Sequence, residues 1–253
     1  MFDLSNWMLV FLRASAMLAI FPVFSAPRFP VQLRLALGAL LAYLMAPPLP
    51  ANRLINNSLW SLIGLMILEI AIGLVLGFAC RMIFYALDLA GGIIAAEMGL
   101  SLPSLLNPME TNEVTTPALI LHTMAAVLWL SMDMHHWMLI GFQQTYALLP
   151  VGGSHLQEQL FLDIVARSGK VFLVALQMTA PVIAVSFIIT LVFAVLGRAV
   201  PQMSVFAESF AVRILAGLAV FGLTLHLMAQ HILNYLRRLP EDIVHVARLL
   251  GTG

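Results

Sequence analysis

Asp133-Met134-His135-His136 is the stretch whose residue types come nearest to chemistry. Two imidazoles and a carboxylate can hold a metal ion. The spacing argues against it, because adjacent helical residues point in different directions and no HExxH pattern is present. His122 and His155 stand too far along the chain to be assigned as partners. No GxSxG, P-loop or dinucleotide-binding glycine pattern occurs. Cys80 is the single cysteine, which excludes a disulfide framework and a multi-cysteine metal site. The expectation is a protein with no catalytic site, no cofactor and no metal. An intramembrane enzyme built on Asp133, His135 and His136 is a rival that metal analysis of purified protein would test.

Other polar residues stand where charge is costly. Arg13, Glu69, Arg81, Asp88, Glu97, Arg198 and Arg213 lie in or beside apolar runs. A charge at mid-bilayer costs about 2.5–3.5 kcal/mol on insertion scales. Arg81 and Asp88 fall on one helix face two turns apart, able to share a polar neighbour but too distant for a direct pair. Thr179, Ser186, Thr190 and Gly197 lie within about 20° of one face at about 100° per residue. That stripe reads as a wall facing a pore or partner helix, or as hydroxyls bonded to their own i−4 carbonyls. Pro181 is expected to kink the same helix.

The elements carrying these residues are apolar helices. The chain has 253 residues, of which 62% are hydrophobic and 9% charged, with twelve basic and twelve acidic residues. Mean hydropathy is +1.00. A soluble domain carries about 25% charged residues. A soluble enzyme, a disordered chain and a nucleic-acid binder are therefore disfavoured, the last also by zero net charge. Arg13 interrupts the first apolar run and no basic leader precedes it, so no cleavable signal peptide is expected.

A membrane-crossing helix needs about 20 apolar residues. Trp7–Phe24, Leu35–Asn52, Leu54–Cys80, Met82–Leu106, Pro117–Met132, Val171–Gly197 and Ile214–Leu236 meet or approach that length. Pro117–Met132 can continue past Asp133 to Leu149. The reading is an all-α integral membrane protein with six or seven apolar helices in a single domain, 1–253. Prolines at 22, 27, 30, 47, 48 and 50 mark the first two turns, and the tail Arg237–Gly253 reads as an exposed amphipathic helix. Gly73 and Gly77 form a GxxxG, and Gly91, Ala95 and Gly99 repeat a small residue every fourth position. Such faces let helix backbones approach closely. The fifteen methionines read mainly as core filler, and Trp7, Trp60, Trp129 and Trp137 as interfacial anchors.

Several stretches, in order, resemble the FliR/SctT family of type III export-gate proteins. Arg13 precedes a proline-rich turn, Phe21-Pro22 to Phe29-Pro30, and then Arg34. Gly91-Gly92 to Ser101, running on to Asn107-Pro108, is similar to the family's mid-chain glycine helix and loop. His135-His136-Trp137 and Leu149-Pro150-Val151-Gly152 resemble its His-containing turn and LPxG element. Gly197-Arg198 to Pro201-Gln202 to Val205-Phe206 resembles its most specific signature. Gly197 stands where the family commonly has Asn, and Ser209-Phe210-Ala211 replaces a glycine-phenylalanine-proline. Those departures leave the flagellar and injectisome branches open, with the flagellar one preferred.

The resemblance implies a fold of kinked, tilted helical hairpins like a fusion of FliP and FliQ. It implies one copy assembled with those two partners and with FlhB, in the inner membrane at the flagellar basal body. The task implied is to form part of the wall and plug of a channel for unfolded export substrates. The plug role falls on Leu105, Leu106, Asn107, Pro108 and Met109. Gly91, Ala95, Gly99, Arg198, Pro201, Gln202, Phe206, Glu208 and Arg213 are expected to serve packing and assembly. A stand-alone transporter is the other rival, weakened by the lack of internal repeats.

Overall fold

The computed structural model describes residues 4–25, 29–46, 59–100, 114–153, 158–199 and 205–251, leaving aside the side chains of 205–207. Among them there is no strand. The helices are α1 (Leu4–Ile20), α2 (Pro22–Ser25), α3 (Val31–Met45), α4 (Leu59–Glu97), α5 (Thr116–Ser131), α6 (Met134–Leu148), α7 (Glu158–Ala199), α8 (Val205–Leu236) and α9 (Leu239–Gly251). The all-α membrane fold expected from composition is the fold observed.

Two element boundaries differ from the hydropathy reading. The segments ending at Cys80 and beginning at Met82 are one helix, α4, of 39 residues. Arg81 interrupts hydropathy without interrupting helix, because a lone charge removes no backbone hydrogen bond, whereas proline does. Similarly α7 starts at Glu158, ahead of the charge-free run, and continues unbroken through Pro181 for 42 residues. At about 1.5 Å per residue these helices are roughly 58 and 63 Å long, about twice the hydrocarbon thickness. Among the described residues, three stretches are long and apolar enough to cross a membrane: Leu59–Glu97, Glu158–Ala199 and Glu208–Gly251. Counting α5 with α6 as one broken span makes four. The shorter apolar helices α1 and α3, of 17 and 15 residues, stand beside these, in keeping with the six or seven apolar helices expected, although two of the expected segments merge into α4.

The chain divides into two compact units. The first comprises Met1–Met82, Met132–Ser168 and Arg237–Gly253. In it α1 lies on α4 along the GxxxG: a Cβ on Gly73 would meet the Arg13 carbonyl and Ala16, and one on Gly77 would meet Met17 and Ile20. Gly38 of α3 presses on Ser15 of α1. The tail helix α9 is amphipathic as expected, but it is docked rather than exposed. Leu239, Ile243, Val246, Ala247 and Leu250 are buried, Pro240 touches Gly141 of α6, and Gly251 approaches the Leu148 carbonyl. Burying that stripe removes enough apolar area to hold the helix against α6.

The second unit comprises Ile83–Ser131 and Gly169–Leu236. Here the small-residue stripe of α4 receives its neighbours. Gly91 lies against the backbone of Ala118 in α5, Ala95 is buried, and Gly99 faces the ring of Phe210 in α8. Gly99 has φ +76°, a conformation that ends α4 and favours glycine.

Candidate functional site

In the first unit the apolar faces converge on two opposite charges. Arg13 belongs to the buried face of α1 with Leu9, Val10, Ala14 and Met17. Glu69 stands one turn before Gly73 on α4, so Glu69, Gly73 and Gly77 share a face. The missing side chain at Gly73 lets the backbone of Arg13 settle on α4, which brings its guanidinium within reach of Glu69.

Both side chains are 0% exposed. Arg13 Nε donates to Glu69 Oε2 at 2.5 Å, and Arg13 Nη2 donates to Oε1 at 3.0 Å. This is the two-pronged guanidinium–carboxylate geometry that makes the strongest ion pairs. The remaining capacity is used by a loop distant in sequence. Arg13 Nη1 donates to the Leu149 carbonyl at 3.2 Å, and the Gly152 N–H donates to Glu69 Oε1 at 3.0 Å. The ring of Tyr146 lies under the guanidinium, 4.2 Å from its centroid. Gly152 reaches Glu69 from a left-handed conformation, φ +82°, in a turn where the Gly153 N–H bonds the Pro150 carbonyl. The clamp therefore joins α1, α4, the end of α6 and the Leu149-Pro150-Val151-Gly152 turn. A buried pair without these extra bonds would not recover its desolvation cost.

The sequence reading singled out Arg13, Glu69 and the LPxG turn separately and did not join them. The available signal was charge: one cation and one anion inside apolar helices each need a partner. Tyr146 carried no such signal.

A second polar cluster fixes the tail in the same unit. Arg167 of α7 pairs with Asp163 at 2.5 Å and with Asp242 of α9 at 2.6 Å, and His245 Nε2 stands 3.4 Å from Asp163 Oδ1. In the second unit, Asp88 pairs with His122 of α5 at 2.7 Å. The hydroxyl stripe of α7 divides between its two readings. Thr179 and Thr190 bond back to the carbonyls of Ala175 and Ser186. Ser186 instead donates to the Glu97 carboxylate of α4 at 2.5 Å.

The residues expected to plug or assemble fall in several places. Leu105, Leu106, Asn107, Pro108 and Met109 lie outside the described residues, as do Pro201, Gln202 and the side chain of Phe206. Arg198 is exposed at the end of α7, and Glu208 is exposed in the first turn of α8. Arg213 donates from Nη2 to the Thr190 hydroxyl of its own chain at 2.9 Å. Asp133, His135 and His136 gather their donor atoms within 4.8 Å of one another. His135 and His136 are adjacent in the first turn of α6, whereas Asp133 ahead of them is not helical: its φ is 54°.

The buried clamp uses the N-terminal arginine and the LPxG turn, two of the elements on which the family resemblance rests. Residues 4–239 match the family of bacterial export proteins, family 1. The chain belongs to that family. Among curated members of similar sequence is the flagellar biosynthetic protein FliR of Escherichia coli K12, 29% identical over 236 residues, covering 92% of this chain and 90% of that one. FliR of Pectobacterium carotovorum is 29% identical over 96% of this chain and 95% of its own. FliR of Bacillus subtilis is 25% identical over 98% and 96%. The matched span contains Arg13, Glu69 and Gly152, so this bacterial export protein keeps its clamp inside the family's common region. Its long apolar helices make it a membrane protein.

Proposed function

We propose that this protein is a non-catalytic subunit of the flagellar export apparatus, in the bacterial inner membrane at the basal body. It assembles with the FliP, FliQ and FlhB proteins and forms part of the wall of a conduit for unfolded export substrates. The observation that carries this reading is the match over residues 4–239 to export proteins, with FliR relatives aligned along nearly their whole length.

The surface supports it. Only 11% of the most apolar window in each of Glu158–Ala199 and Glu208–Gly251 is buried within the chain. Helix α7, of 42 residues, is about twice as long as lipid requires, and α8, of 32, is also longer than a span needs. The rest of their apolar surface needs neighbouring protein, which subunits of an assembly supply.

Within that assembly, Leu105, Leu106, Asn107, Pro108 and Met109 close the conduit. The family resemblance of this stretch, which lies between α4 and α5 in the sequence, supports the role. Deleting Leu105–Met109 is expected to make cells or vesicles carrying the assembled gate leak small ions. Unchanged ion impermeability in the deletion, with the complex still assembled, would contradict the plug role. Arg198 with Pro201, Gln202, Phe206 and Glu208 forms the contact to neighbouring subunits, and Gly91, Ala95 and Gly99 hold the helices that present it. Arg198→Ala is expected to lower recovery of FliP and FliQ with this protein. Equal recovery would remove Arg198 from the interface.

A further inference from the structure

Asp133 lies between α5 and α6 and is the only non-glycine residue with positive φ among those described. With φ 54° and ψ 25° it occupies the left-handed region, which aspartate tolerates at a cost. It stands at the N-cap of α6, yet its carboxylate makes no capping hydrogen bond. Its carbonyl instead accepts the backbone N–H of His136 at 3.0 Å. The carboxylate is left facing two imidazoles. Asp133 Oδ1 lies 4.0 Å from His135 Nε2 and 3.9 Å from His136 Nδ1. The rings of His135 and His136 lie against each other with centroids 4.2 Å apart. All three donor atoms fall within 4.8 Å of one another.

From this geometry we propose that Asp133, His135 and His136 form a surface binding site for a divalent transition metal ion, zinc being the natural occupant. Two imidazoles and one carboxylate are a borderline donor set, suited to zinc, nickel or copper. Calcium and magnesium take oxygen ligands, and no thiolate is present for a soft ion. Metal–ligand distances of about 2.0–2.2 Å in a tetrahedral site place donors about 3.3 Å apart. The two separations from the Asp133 carboxylate, 4.0 and 3.9 Å, exceed that by about 0.6–0.7 Å, and the widest separation in the set, up to 4.8 Å, by about 1.5 Å. Small side-chain rotations close the difference, and Asp133 and His136 are 74% and 68% exposed and free to make them. Water completes the fourth position, so the site is exchangeable rather than a folding element. The left-handed turn at Asp133 creates the site by turning its carboxylate onto the first turn of α6.

The test is calorimetric titration of untagged, detergent-solubilised protein with zinc chloride, comparing wild type with His136→Ala and Asp133→Gly. Glycine accepts a positive φ, so the second variant keeps the turn while removing the ligand. Both variants are expected to lose one zinc equivalent, or to bind it at least about tenfold more weakly. Circular dichroism should match wild type. Wild type that binds no zinc at micromolar concentrations would overturn the proposal. So would variants that keep both the stoichiometry and the affinity of wild type.

Discussion

Removing either half of the Arg13–Glu69 pair leaves the other charge buried without its partner. Glu69→Ala or Arg13→Ala is expected to destabilise the protein by about 3–5 kcal/mol, read as a lowered unfolding midpoint in detergent. The double variant Arg13→Met with Glu69→Leu should be less destabilised than either single alanine variant, because no bare charge remains. Additive losses would mean that the pair does not act as a unit. Gly152→Ala should cost about 1–2 kcal/mol, since its φ of +82° is unfavourable for alanine. At this scale the sequence showed which residues were out of place but not where they went. Arg13, Glu69 and Gly152 are dispersed along the chain, and only the packing of α1 on α4 together with the Leu149–Gly152 turn makes them neighbours. The approach of the Asp133 carboxylate to His135 and His136 was not legible for a related reason: helical periodicity says nothing about a residue in a left-handed turn.

Helix α4 offers an internal comparison between glycines. A Cβ on Gly64 meets nothing within 4 Å, whereas one on Gly73 falls on the backbone of α1. Gly64→Ala is expected to be neutral or stabilising by about 0.5–1 kcal/mol, the usual gain from alanine in a helix. Gly73→Ala should destabilise, because α1 must move and loosen the clamp. Thermal unfolding of the two variants in one detergent decides it. Equal effects would show that α1 does not rest on that face. The helical class and the tight-packing GxxxG were legible at this scale, because hydropathy and small-residue spacing are local signals. The length of α4 and α7 was not. Hydropathy falls at Arg81 and ahead of Val171, but the backbone ladder continues through both positions. The docking of α9 was half legible: its amphipathic pattern was clear, but its partner α6 lies far away in sequence.

For the whole molecule, the composition said membrane protein and the charge positions said more. The buried charges satisfy each other inside the chain, as Arg13 and Glu69 do, and the long helices leave broad apolar faces uncovered. Those uncovered faces support the proposed assembly, in which partners as well as lipid cover them. The family match made the general role clear, because its motifs run in order from Arg13 to the Pro201 region. The proposed plug residues, Leu105–Met109, and most of the Arg198 signature fall outside the described residues. The most direct measurement is the native mass of the complex extracted after co-expression with the neighbouring FliP and FliQ proteins. The account predicts a single hetero-oligomer containing this chain together with both partners. Recovery of this chain alone, with FliP and FliQ assembled without it, would contradict the account.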